Sequence, residues 1–366
     1  MWLNVYSLGV SRGLPQWHDP LVLSRLWCLW ELHCAVATGS TFAICLSPEQ
    51  EQAFCQRLLE DYGRSAMQAL SKIDVNAAHG NPKDSALILG GIRASPGGTE
   101  GLNETAVEQL REKFVAAIAR AWVASLRCAD GSLETAKAVA AGKAVAVLLG
   151  HLGHWEEARD LRTQVTAGFE RLEGPLAPNT MDAKTQLAYA MQETGQVSQA
   201  RELYESVLEQ QLATLGPESG AVLITQTNLA VLLGDKLNEW ALSLPLREAV
   251  VTGRTKLNGP EAEQTLLVKS NLAVAYQNLG RHGEAKEAYV SVLAAQQKLL
   301  GERHPDSMRT QLNLAKLLHD ELGEREEGLA LLREVVAVRT TVLGGGHALT
   351  RKAADTLARW EALVSM

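Results

Sequence analysis

One pattern returns five times between Lys143 and Leu343, and that recurrence leaves few folds open to the chain. Segments beginning Ala144-Val145-Ala146, Gln186-Leu187-Ala188, Asn228-Leu229-Ala230, Asn271-Leu272-Ala273 and Asn313-Leu314-Ala315 start 42, 42, 43 and 42 residues apart. Each unit closes on a glycine: Gly174, Gly216, Gly259, Gly301 and Gly344. A unit this small cannot bury its apolar face alone, so the units must stack on one another. Stacked arrays mostly bind other macromolecules, which points to a binding role without naming the partner.

Within a unit the spacing predicts helix, turn, helix. In the fourth, Leu267, Val268, Leu272, Ala273, Ala275, Tyr276 and Leu279 recur at helical intervals, and Gly280 closes that helix. Ala285, Ala288, Tyr289, Val292, Leu293 and Leu299 then form the inner side of a second helix. Small residues fall where the two helices must touch: Ala158, Ala200 and Ala285, with Ser243 and Gly328 in the slots of units three and five. Pro175, Pro217 and Pro260 follow the closing glycine and stop the second helix. Units three and five carry one residue more, which places Asn238 and Gly323 one position late and puts the excess at the turn.

The strings Asn271-Leu-Ala-Val-Ala-Tyr276, Gly280-Arg-His-Gly-Glu-Ala285 and Leu300-Gly301-Glu-Arg-His304-Pro305 carry a resemblance. They are similar to the tetratricopeptide repeat in its long form, seen in kinesin light chains and nephrocystin-like proteins. The resemblance implies a right-handed superhelix of about five helix-turn-helix units whose first helices line a concave groove. It brings a kinesin cargo adaptor as one alternative, although the chain shows no sustained heptads for a coiled coil.

The chain has 366 residues, 46% of them apolar, which is ample for a core. Its net charge of −7 opposes a nucleic-acid or anionic-membrane footprint. There is no apolar run of about 18 residues and no cationic leader ahead of Met1-Trp2-Leu3-Asn4-Val5, so no membrane span is expected. Five cysteines, Cys28, Cys34, Cys45, Cys55 and Cys128, are odd in number and form no Cys-x-x-Cys pair. They read as reduced thiols in a cytoplasmic protein.

Ahead of the repeats, strands are expected over Trp2–Leu8 and Ser40–Leu46. Helices are expected over Ser24–Thr38, Glu49–Asp61, Ser65–Ile73 and Ser85–Ala94, and another runs from an Asn103 cap through Cys128. The string Ser24-Arg-Leu-Trp27-Cys28-Leu29-Trp30-Glu31-Leu32 resembles a helix of Toll/interleukin-receptor domains, and more closely that of TIR-like modules that precede repeat arrays in algae and other protists. Leu70 to Val75 and Gly101 to Thr105 continue the likeness. In TIR domains that cleave NAD the glutamate of this helix is catalytic, and Glu31 matches it. Only 23 residues precede Ser24, short of a whole module, so the expectation is a partial α/β segment without enzymatic activity. An NAD hydrolase with a repeat assembly domain is the alternative.

No other constellation competes. His151, His154, Glu156 and Glu157 sit at the turn of unit one, and Gly344-Gly-Gly346 has neither a preceding strand nor a following Lys-Ser/Thr. No metal or cofactor is expected. The binding residues are sought on the first helices, in the column Ala144, Gln186, Asn228, Asn271, Asn313. Amides donate to and accept from an extended backbone, and kinesin-type repeats use asparagines at this slot in that way. The expected peptide groove is Gln186, Tyr189, Asn228, Asn271, Gln277, Arg309, Asn313 and Lys316, more acidic early (Asp182, Glu193) and more basic late.

The sequence therefore predicts a mainly α protein. Residues 1–102 form the partial TIR-like segment, 103–137 a connecting helix region, 138–346 the repeat array and 347–366 a capping helix. The expected function is a scaffold that holds an extended peptide of a protein partner.

Overall fold

A computed structural model describes residues 117–128 and 131–364, with the short stretches 2–4, 43–45 and 89–90 and residues 56 and 60. The chain groups into two compact units, Met1–Gly195 and Gln196–Met366. None of the described helices is long and apolar enough to cross a membrane.

In the first unit, β1 (Trp2–Asn4) pairs in parallel with β2 (Ala43–Cys45), Trp2 opposite Ala43. Both lie inside strands expected from the sequence, and such a pair does not define a TIR-like module. Glu31 and the rest of that module lie outside the described residues. Four helices follow: α1 (Ala117–Ser125), α2 (Ala136–His151), α3 (Trp155–Glu173) and α4 (Pro178–Glu193). The Thr135 hydroxyl caps α2 by accepting from the Ala138 N–H at 3.1 Å. Because α2 is apolar nearly all round, it is buried on most sides, with Ala138, Ala144, Val145 and Leu148 in the core. Arg120 grips Glu157 through two hydrogen bonds and ties α1 to α3.

The second unit contains α5 (Val197–Leu215), α6 (Gly220–Val231), α7 (Trp240–Asn258), α8 (Glu263–Asn278), α9 (His282–Leu300), α10 (Pro305–Lys316), α11 (Arg325–Leu343) and α12 (Ala348–Val364). Each packs on the next in sequence. Ser243 and Ala285, in the small-residue slots, are fully buried, as is Tyr289. Leu314, Leu317 and Leu318 close over Ala285 and Tyr289 in one apolar cluster.

The closing glycines explain how the second helices stop. Gly259 has φ 91° and ψ 161°, Gly301 has φ 91° and ψ 162°, and Gly344 has φ 87° and ψ 155°. That region is open to glycine and costly to any residue with a Cβ. A Cβ at Gly259 would meet nothing within 4 Å, so the penalty there is conformational alone. Gly259→Ala is expected to lower stability by about 1–3 kcal/mol in chemical denaturation. A variant as stable as the parent would show that the turn relaxes to another conformation.

The extra residue of units three and five is not in the turn, where the sequence placed it. It is absorbed earlier, where α6 and α10 run into five-residue π turns at Leu232–Lys236 and Leu317–Glu321. The Leu237 N–H reaches back to Leu232 O at 3.1 Å, and Leu322 to Leu317 at 3.0 Å. Asn238 and Gly323 still take the left-handed conformation at the corner, φ 57° and 73°, as Gly280 does in unit four. The corner geometry is thus kept, and the slack goes into the last helical turn.

Candidate binding face

On α6, α8 and α10 the column residue and its neighbours four before and three after form a strip. The strip reads Ile224, Asn228, Val231; then Leu267, Asn271, Val274; then Arg309, Asn313, Lys316. All nine are exposed or half-buried, while Leu223, Thr225, Leu229 and Leu232 beside them on α6 are buried. The side chains of this strip therefore point away from the stack. Among the described residues, the amides of Asn228, Asn271 and Asn313 bond to no other protein group. They are solvated and open to a ligand.

The backbone beneath the column is fixed by buried arginines. Arg247, 5% exposed, reaches from α7 to donate to the Asn271 carbonyl at 2.7 Å. It also donates to Ala230 O, to the Ser243 hydroxyl and to Asp235, while its guanidinium lies over Trp240. Burial pulls its pKa below the usual arginine range, and Asp235 opposes the shift. In the first unit Arg162 repeats the arrangement, donating to Gln186 O at 2.8 Å. Gly150 lets Trp155 lie close there, as Gly234 does for Trp240. Arg247→Met is expected to cost about 2–3 kcal/mol, because Ala230 O loses one donor and Asn271 O a charged one. Thermal unfolding measures the loss; an unchanged midpoint would mean that water replaces the guanidinium.

The structure distributes the other expected residues as follows. Gln186 and Tyr189 lie half-buried on α4, and Tyr189 meets Trp155 edge-on with centroids 5.5 Å apart. The Tyr189 hydroxyl titrates above its ordinary value, mainly through burial and then through Glu193. Gln277 is engaged elsewhere: its side-chain oxygen accepts from the buried Tyr289 hydroxyl at 3.3 Å. Arg309 pairs with Asp306 one turn before it at 2.8 Å, and Lys316 has no carboxylate partner among the described residues.

A small apolar notch lined by Thr227, Val231, Arg247, Val268 and Asn271 holds about 10 Å³, room for one water at most. The strip is thus a surface for an extended chain, with no pocket for a small molecule in it. Glu263, His304 and Asp306 bring three potential metal ligands together near the start of α10. Nδ1 of His304 already accepts from the Asp306 N–H as a helix cap, and the Asp306 carboxylate pairs with Arg309. In unit one, Glu157 is committed to Arg120 and Glu156 to Arg159.

Sequence reasoning missed Arg162 and Arg247. Their signal was present as a Gly–Trp–Arg set that recurs two repeats apart: Gly150, Trp155, Arg162 and Gly234, Trp240, Arg247.

Comparison with known proteins bears on what this geometry is. A tetratricopeptide-repeat family model matches residues 264–339 and a second one residues 182–211. No curated protein matches the chain. A crystal structure of nearly identical TPR-like repeats of kinesin-light-chain type from Podosopora anserina is 30% identical, with a TM-score of 0.50 over 55% of this chain and 94% of that one. BtubC (BKLC) from P. vanneervenii is 20% identical, with a TM-score of 0.50 over 63% of this chain and 89% of that one, a likeness of fold alone. Stacked helical hairpins with an open polar strip along their first helices define an α-solenoid of the interaction class. The chain belongs to the tetratricopeptide-repeat family.

Proposed function

We propose that the chain is a protein-interaction scaffold that holds an extended segment of a partner along the exposed strip of α6, α8 and α10. The observation that carries this reading is the row of three asparagine amides, solvated, unbonded to protein, and seated on helices whose backbone a buried arginine braces. Surface amides in a row on a rigid scaffold match the hydrogen-bonding groups of a backbone and ask little of its side chains. Gln186 and Tyr189 extend the same chemistry on α4 of the first unit.

Extended peptides selected from a displayed library on the purified chain provide the test. On titration they should shift the side-chain NH₂ signals of Asn228, Asn271 and Asn313 in NMR spectra and leave second-helix residues such as Lys298 and Glu302 unmoved. Shifts confined to the second helices would place the interaction on the other side of the repeats.

A further inference from the structure

The last helix, α12, continues the strip in register. Ala353 and Trp360 pack against Ala315, Leu329 and Leu332. Trp360 stacks on His319 with ring centroids 3.8 Å apart and planes within 7°. The Leu349 carbonyl accepts from Arg339 at 3.1 Å. These contacts seat α12 as the first helix of an unfinished sixth repeat. Counting on from α10 by the interval that separates α6 from α8, the strip positions on α12 are Lys352, Thr356 and Arg359.

The three strip positions therefore change character along the unit. On α6 and α8 the flanking residues are Ile224, Val231, Leu267 and Val274, all apolar; on α10 and α12 they are Arg309, Lys316, Lys352 and Arg359, all cationic. Among the described residues, Lys316, Lys352 and Arg359 form no ion pair, and Arg359 bonds only to the Thr356 hydroxyl. Asp306 neutralises Arg309 in part, and Asp320 is held by His319. Four like charges on adjacent helices repel one another and need an anionic partner to be favourable.

We propose that α12 forms, with α10, the anion-recognising end of the binding face, where Lys352 and Arg359 join Arg309 and Lys316 to take a run of carboxylates. Its partner is an acidic stretch of a protein segment whose apolar part lies over α6 and α8. The inference rests on the reading that the strip holds an extended chain, and adds which chemistry each end selects.

Selection of displayed random peptides on the full chain is the test, repeated on the double variant Lys352→Gln/Arg359→Gln and on Lys352→Glu/Arg359→Glu. Both residues are exposed, and unchanged circular dichroism verifies that the variants fold. The parent should enrich peptides with an apolar patch and an acidic run. The glutamine variant should bind those peptides about five- to tenfold more weakly, by the usual strength of exposed charge pairs. The glutamate variant should lose the acidic preference. Enrichment of peptides without acidic runs, or of acidic ones that ignore both variants, would overturn this inference and leave the scaffold reading standing. Failure to enrich any peptide would remove both. Equal binding of a ten-residue deoxythymidine oligomer, weakened by the same variants, would assign the cations to nucleic acid and overturn the protein assignment.

Discussion

Gly328→Val is expected to lower the stability of the C-terminal repeats by about 3 kcal/mol, the largest loss from any single exchange considered for this chain. Gly328 occupies the slot in which the other units carry Ala158, Ala200, Ser243 and Ala285. A Cβ at Gly328 would stand 2.8 Å from Ala315 O, 2.8 Å from His319 Cβ and 3.0 Å from His319 N. Two of these three are backbone atoms of α10 and its π turn, which no rotamer change can move aside. α11 would have to retreat, and with it the Leu329 and Leu332 contacts to Trp360. In a repeat array that loss is felt mainly by neighbouring repeats, so unfolding should begin at the C-terminal end. Chemical denaturation with tryptophan fluorescence, which includes Trp360, measures both size and place. A loss under 1 kcal/mol would show that α10 and α11 separate at little cost.

That slot was legible in the sequence, because a small residue recurs at a fixed offset after each closing glycine. So were the helix ends: glycines in the left-handed region and the prolines after them leave little freedom. The site of the extra residue in units three and five was not legible. A π turn shifts backbone hydrogen bonds by one residue and needs no particular side chain. Leu232-Leu-Gly-Asp235 and Leu317-Leu-His-Asp320 share Leu-Leu-x-Asp, but two instances make no rule before the structure is seen.

The binding face divides in the same way. Asn228, Asn271 and Asn313 could be aligned by eye because the repeat fixes their register. Gln277 could not be separated from them, since what withdraws it is a tyrosine hydroxyl on the next helix. Arg162 and Arg247 ran against the expectation that arginines are solvated; a glycine that admits a tryptophan, and carbonyls of the following repeat, make burial tolerable. The cations of α12 could be read as the solvated side of a cap until its register with α10 was known.

The triple variant Asn228→Ala/Asn271→Ala/Asn313→Ala is expected to bind a selected peptide roughly a hundredfold more weakly than the parent. Each amide meets the peptide backbone through hydrogen bonds worth about 1 kcal/mol net, and three such losses give about 3 kcal/mol. The helices should survive. None of the three side chains bonds to the protein, and alanine favours a helix over asparagine by several tenths of a kcal/mol. The carbonyl of Asn271 that Arg247 holds is backbone and remains in the variant. Affinity by calorimetry, read beside helical content and unfolding midpoint, separates the outcomes. Weakened binding with an unchanged or raised midpoint supports the amide row as the peptide contact. Full affinity with intact helices would move the contact off the strip. A lowered midpoint would mean that the amides serve the stack through water, and the row would then be a structural feature of the repeats.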